Sequence, residues 1–350
     1  MRKSRGMMAL LAGTMLGSAL FGAMFLGIGV SPAQADPVKF RIGWVAMPGS
    51  RAGYMLEKPE LLHHLNQSYT VEPMHFSSTP AQLQALASGD LEIAQLGYST
   101  LGAAVENAHM TDVRLFADEL EDGKPGWGTT HFTVLKDSPI KTIDDLKGKV
   151  VATNGIGSGL DIALRWVLLQ HHLQAKTDYT DVEINFPNMK SALAEHKVDL
   201  ISAVLPFMYD PELVKIGRTL FEQGAETGPS ELLMWAARAP YIKEHRAALV
   251  DLMEDVLRMQ RWYFDPANHQ EAQQIAAKIT HQPIESLNWV FTKGDFYRSP
   301  NGNPDLKTVA ADLKMEKELG FLKGDIDVAK YADLTIVDEA STRLGKMKEE

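Results

Sequence analysis

The chain has no cysteine among its 350 residues. That excludes disulfides, and it excludes a lipid-modified cysteine behind a leader. Signatures of several α/β enzymes are also missing. The richest glycine stretch, Val150 to Gln170, contains no Gly-Lys-Ser/Thr and so is not a P-loop. Its glycines stand at 155, 157 and 159, so the third falls too early for a dinucleotide Gly-x-Gly-x-x-Gly. Ser158 has Ile156 two residues before it, which removes the Gly-x-Ser-x-Gly nucleophile elbow. Basic residues are scarce: 35 Lys and Arg stand against 45 Asp and Glu, a net charge of −10. This argues against nucleic acid or an anionic membrane as partner. It leaves a small anionic ligand open, because a pocket is governed by local dipoles. Beyond residue 30 no stretch is apolar enough to span a bilayer.

Arg2, Lys3 and Arg5 precede an uncharged, mostly apolar run from Met7 to Val30, and Ala33-Gln34-Ala35 follows. This is the pattern of a secretory signal peptide with its Ala-x-Ala cleavage site. The run is long enough for a membrane anchor, but its many glycines and the small-residue site favour cleavage. The mature chain would be Asp36 to Glu350. Loss of three basic and no acidic residues takes its net charge to −13. An exported chain without a lipid anchor points to a Gram-negative periplasm. Its length is more than one core usually fills, so two lobes are expected.

Val150 to Thr153 reads as a buried strand, Asn154 to Gly159 as a glycine loop, and Leu160 onward as a helix with apolar residues at helical spacing. Such a loop aims backbone N–H groups and the positive helix end at whatever lies above the strand, which suits an anion or polar oxygen. A plain turn is the competing reading. Elsewhere strands alternate with helices: strands at Val38–Val45, Tyr69–Phe76, Leu91–Leu96, Val113–Leu120, His131–Leu135, Val182–Phe186 and Val198–Leu205, and helices at Tyr54–Leu65, Ala81–Ala87, Leu101–Asn107 and Met189–His196. From Pro240 the chain reads as mostly helical, and Ser341 to Glu350 as a loose charged tail. The alternation predicts an α/β fold with parallel sheets, with ligands beyond the carboxyl ends of the strands. A short repeat stands out. Leu86-Ala87 precedes Glu92 at the same spacing as Leu193-Ala194 precedes Asp199, as two lobes on one plan would produce.

Thr79-Pro80, Gly89-Asp90-Leu91-Glu92-Ile93-Ala94-Gln95-Leu96-Gly97, and Asp137 through Val151 with its Ile143-Asp144-Asp145-Leu146-Lys147-Gly148-Lys149 core resemble the nitrate/sulfonate/taurine-type periplasmic solute-binding proteins of ABC importers. The resemblance runs from about Phe40 to Ala237. It implies a two-lobed periplasmic-binding-protein fold of type II, with two crossovers between lobes and a helical C-terminal third. Lobe one would be 36–128 plus 234–350, and lobe two 129–233. It implies a small organic anion, sulfonate- or carboxylate-like, held in the interlobe cleft by hinge closure and delivered by a monomer to a permease in the inner membrane. Carried over by position, it nominates Ser78, Thr79, Tyr98, Ser99 and Thr100 in lobe one and Gly157, Ser158 and Gly159 in lobe two. Trp44, Tyr98, Trp127 and Phe207 are aromatic candidates for the pocket, with ordinary packing as the equal alternative. No catalytic residue, metal or cofactor is called for. His63-His64 and His171-His172 read as surface pairs, since adjacent helical residues do not share a face. Asp118, Glu119, Glu121 and Asp122 read as a solvated acidic loop. Arg51 and His131 read as solvated or structural, and Glu231 as a remote candidate for an ammonium group. Two rival readings use the same chain: an exported hydrolase built on Ser158, and a ligand sensor that docks on a membrane receptor.

Overall fold

The computed structural model describes residues 36–348; the leader expected over 1–35 lies outside the described residues. Two mixed sheets share one plan. β1 (Val38–Trp44) pairs in parallel with β2 (Tyr69–His75). Backbone bonds from Gly43 N–H to Ile93 O and from Ile93 N–H to Arg41 O tie β1 to the residues that lead into β3 (Ala94–Leu96). β3 then joins β10 (Ser230–Arg238), which pairs with β4 (Val113–Asp122). The second sheet is built from β5 (His131–Leu135), β6 (Val150–Thr153), β7 (Thr180–Glu183), β8 (Leu200–Ala203) and β9 (Gly217–Glu222), in the order β7-β6-β8-β5-β9. The helices of this part are α1 (Thr79–Ser88), α2 (Tyr98–Glu106), α3 (Gly159–Gln170), α4 (Phe186–Ala194), α5 (Pro211–Ile216) and α6 (Gln223–Thr227).

The expected parallel sheets prove mixed. β5 runs antiparallel to β8 and β9, and β10 runs antiparallel to β3 and β4. Each antiparallel strand enters its sheet directly after the chain leaves the other one, so no crossover helix reverses its direction. The short sequence repeat has a structural meaning. A Glu92 carboxylate oxygen accepts the backbone N–H of Arg41 in β1 at 2.9 Å, and a carboxylate oxygen of Asp199 accepts that of Val150 in β6 at 2.9 Å. In both sheets an acid leading into the third strand of the plan ties down the first.

The two connections between the sheets, residues 123–130 and 223–229, run against each other. A Cβ on Gly123, whose φ is +72°, would come within 2.5 Å of the Gly224 Cα, so this approach requires glycine. Thr129 Oγ1 donates to Asp122 at 2.5 Å and accepts from Gly224 N–H at 2.9 Å, which joins both connections to the end of β4.

The C-terminal third is helical as expected: α7 (Ala239–Tyr263), α8 (His269–Thr280), α9 (Leu306–Glu318) and α10 (Thr335–Arg343). α10 extends into the stretch read as a loose tail, because Arg343 pairs with Asp251 on α7 at 2.8 Å and Ile336, Val337 and Ala340 are buried. The helix expected at Tyr54–Leu65 is instead two short 3-10 turns, Met55–Glu57 and Pro59–Leu61. Among the described residues no helix is long and apolar enough to cross a membrane.

On α9, Glu316 lies against Gly102 of α2, almost wholly buried, with Oε2 lacking a hydrogen-bond partner. Burial, with Glu106 adding repulsion, pushes its pKa up to about 8. An unfolded glutamate titrates at about 4.3. Between these values the folded state holds a proton that the unfolded state has lost, so stability falls as pH rises through this window. Glu316→Gln is therefore expected to raise the calorimetric Tm above the parent at pH 9, by the equivalent of about 1–3 kcal/mol. The gap should close towards pH 4.

Candidate functional site

Local sequence dictates two helix starts that face one cavity. At α1 the N-cap is Ser78, with Pro80 in the first turn where its missing N–H costs nothing. At α3 the N-cap is Ser158, whose Oγ accepts the Asp161 N–H at 3.3 Å. Thr79 from α1 and Ser158, Gly159 and Leu160 from α3 line one cavity. The loop after β1 supplies Val45, Ala46, Gly49 and Ser50, and Asn154 comes from the glycine loop. Leu120, Phe186, Leu205, Leu232 and Phe296 make the remaining wall largely apolar. Among the described residues, none that lines this cavity is charged. The first-turn N–H groups of a helix have no intrahelical acceptor, so Gly159 and Leu160 present donors here. Thr79 is buried, and its Oγ1 has no hydrogen-bond partner among the described residues.

The glycine loop is braced from behind by carboxylates. Gly157 N–H donates to Asp161 Oδ2 at 2.8 Å, and Ile156 N–H to Glu183 Oε1 at 2.6 Å. Burial pushes the Asp161 carboxyl up, and the Arg165 guanidinium at 2.9 Å opposes this. Gly157 is thus tied to Asp161 and is not part of the cavity wall. Ser158 Oγ also donates to Asn154 Oδ1 at 3.3 Å. Its hydroxyl serves as the cap.

Across the cleft the two halves touch directly. The Tyr98 hydroxyl, fully buried, donates to the Gly159 carbonyl at 2.8 Å, and Asn154 Nδ2 donates to the Ser77 carbonyl at 3.2 Å. A Cβ on Gly155 would come within 2.7 Å of Ser78 Cβ. Thr100 Oγ1 donates to the Gly97 carbonyl at 2.9 Å, and the buried Ser99 hydroxyl has no partner among the described residues. Of the nominated residues, Thr79, Ser158 and Gly159 meet on the cavity wall. Tyr98 and Ser78 join the halves, and Ser99 and Thr100 lie buried in the first turn of α2. Trp44 and Phe207 line a wider vestibule outside.

The loop after β1 is held by two buried arginines. Arg51 bonds through Nε to Glu119 at 2.9 Å and also reaches Gln260 and the Asp118 carbonyl. Trp235 Nε1 donates to the same Glu119. Arg298 donates to the Gly49 carbonyl at 3.0 Å and pairs with Asp295 at 3.2 Å. Arg51 is therefore structural. The acidic run is not a solvated loop: Asp118, Glu119, Glu121 and Asp122 are all buried at the end of β4. Its partners, Arg51, Trp235, Ser299 and Thr130, arrive from other segments. Glu231 is also buried, accepts the Asp305 N–H and does not line the cavity. Trp127 packs on Tyr297 and Phe264. Burial lowers the pKa of His131, which sits 3.7 Å from Glu222.

His64 differs from its sequence reading in one respect. Asp251 and Glu254 come within 3.9 and 3.4 Å of its ring nitrogens. They lie three residues apart on α7, far from His64 in the chain. Both carboxylates already face arginines, Arg343 on Asp251 and Arg258 on Glu254, which accounts for the cluster as an ion network.

Leu120, Asn154, Leu160, Leu205, Leu232 and Phe296 were not nominated from sequence. Asn154 and Leu160 begin the glycine loop and the helix singled out there, and Leu205 ends a strand read there. Phe296 comes from the C-terminal third, and its local sequence carries no signal for the site.

The fold is that of a two-lobed periplasmic binding protein. Residues 33–277 match the NMT1-like family, and the chain belongs to that family. It is 25% identical over 233 residues to a protein of Escherichia coli (strain K12) named for binding aliphatic sulfonates, covering 65% of this chain and 68% of the relative. The alkanesulfonate-binding protein SsuA from Xanthomonas axonopodis pv. citri, solved bound to MOPS, has a TM-score of 0.68 at 19% identity, covering 85% of this chain and 99% of that one. The periplasmic nitrate-binding protein NrtA from Synechocystis PCC 6803 has a TM-score of 0.69 at 14% identity, covering 88% and 89%. The resemblance to nitrate- and sulfonate-type solute-binding proteins expected from the sequence is borne out.

Proposed function

We propose that the chain is the periplasmic solute-binding component of an ABC importer and carries a small organic anion to its permease. The observation that carries this reading is the cavity lined from both halves, with residues of two helix N-termini in an otherwise largely apolar wall. Helix ends contribute roughly 0.3–1 kcal/mol each to an anion, and up to ~2 kcal/mol when partly buried. The uncharged wall favours a ligand with one acidic group and an apolar body. Ligand bridging both walls stabilises the closed form, which docks on the permease. The lobes would divide as 36–128 plus 234–350 and 129–233, hinging where 123–130 and 223–229 run together. Export through a cleaved leader and action as a monomer complete the proposal.

A hydrolase built on Ser158 finds no support at that residue. Its hydroxyl is bonded to an amide N–H and an amide oxygen, neither of which is a base.

A thermal-shift screen of residues 36–350 tests the reading with alkyl and aryl sulfonates, taurine, nitrate, carboxylates and pyrimidines. A ligand at 100 times its Kd adds about 2.7 kcal/mol, a shift of several degrees. Stabilisation by one class of organic monoanion is expected; a flat panel would overturn the assignment. With the best stabiliser, Thr79→Val is expected to weaken calorimetric affinity about fivefold, the worth of one hydrogen bond near 1 kcal/mol. An unchanged Kd would remove Thr79 from the site.

A further inference from the structure

Val45, Ala46 and Phe186 line the inner cavity and also line a second, larger space beside it. This vestibule is aromatic on both sides. Trp44 and His75 are cross-strand partners at the ends of β1 and β2, with ring centroids 4.4 Å apart. From the other sheet's side, Phe186 opens α4 and Phe207 follows β8. Their rings stack at 5.7 Å with an interplanar angle of 20°. Trp44 and Phe207 remain only partly buried, so part of their surface stays accessible. Among the described residues that line the vestibule, His75 is the one titratable group. A second acid group on the ligand would find no Lys or Arg here, whereas a flat apolar ring would meet aromatic surface from both sheets.

We propose that the vestibule is a second subsite, and that the physiological ligand is an aryl-bearing organic monoanion. Its acid group lies at the starts of α1 and α3, its linker passes Val45 and Ala46, and its ring lies between Trp44 with His75 and Phe186 with Phe207. This rests on the solute-binding reading above and adds the class of solute.

The test is calorimetric titration with matched probes: 4-phenylbutane-1-sulfonate against decane-1-sulfonate, which has the same carbon number, and 5-phenylpentanoate against undecanoate. The aryl member of at least one pair is expected to bind about tenfold tighter than its alkyl partner. Trp44→Ala and Phe207→Ala should each bring that ratio close to one, and Trp44→Phe should restore it. Because the readout is a ratio within one protein sample, a variant with less folded material still reports it. Equal affinity of aryl and alkyl probes, or a ratio that survives both alanine variants, would overturn the subsite and leave the solute-binding reading intact. If no probe in either series binds, while the wider thermal-shift panel is also flat, both readings fall.

Discussion

Glu119→Ala is expected to destabilise the protein by about 3–5 kcal/mol, the usual cost of removing one partner from a buried ion pair. Glu119 is fully buried and accepts from the Arg51 N–H, the Arg51 guanidinium and the Trp235 indole. Alanine would leave a guanidinium with no exposure to solvent facing Asp118, its remaining carboxylate at 3.9 Å. Burial already raises the Asp118 carboxyl to about 7, against the pull of Arg51, so that carboxylate is a poor substitute. The effect should extend to binding, because Arg51 directly follows Gly49 and Ser50 on the cavity wall. Urea denaturation of the free protein measures the first effect, and calorimetric titration the second. Glu119→Gln, which keeps an acceptor but not the charge, should cost less than alanine. A loss under about 1 kcal/mol for alanine would show that the guanidinium finds other partners.

Gly159→Val is expected to lower ligand affinity at least a hundredfold, about 2.7 kcal/mol, with a smaller effect on the Tm of the free protein. A Cβ at this position would stand 3.0 Å from Leu232 Cδ1 and 3.3 Å from Tyr98 Cε1. Valine adds two methyl groups beyond that Cβ, in the seam where the cavity walls meet. The wedge can be relieved by parting the walls, which gives up the Tyr98–Gly159 bond and the closed cavity. Calorimetric titration and thermal denaturation of the same sample separate the two effects. Retained affinity would mean that closure over Gly159 is not needed for binding.

Parts of this site were legible in the sequence because they depend on near neighbours. β6, the glycine loop and α3 follow one another in 21 residues. Their strand, cap and helix are set by β-branched residues, Ser158 and apolar spacing. Thr79 was likewise visible from a hydroxyl placed before Pro80. What was not legible depends on partners remote in the chain. The acidic run at 118–122 reads as solvated until Arg51, 68 residues earlier, and Trp235, 116 residues later, are brought to Glu119. The direction of β10 depends on the strands it joins on returning from the second sheet. Tyr98 does lie at the cleft, but its hydroxyl bonds to the opposite wall. Its local sequence does not distinguish a bond to ligand from a bond across the cleft. The Glu92 and Asp199 repeat was short, yet it marked a real equivalence, because both acids close the same backbone position in their sheets.

The bonds across the cleft have a consequence for how such a carrier can be tuned. Besides Tyr98 with Gly159, Trp166 Nε1 on α3 reaches Glu318 on α9 at 3.4 Å, and the Arg165 guanidinium lies over the Phe321 ring at 5.6 Å. Trp166, Glu318, Arg165 and Phe321 all stand outside the inner cavity. Apparent affinity is intrinsic affinity scaled by the fraction of molecules already competent to bind. Changes at Trp166 or Phe321 can therefore slide the working concentration range up or down while the rank order of solutes stays the same. Affinity for every solute can in this way shift over generations without any change in the residues that line the inner cavity.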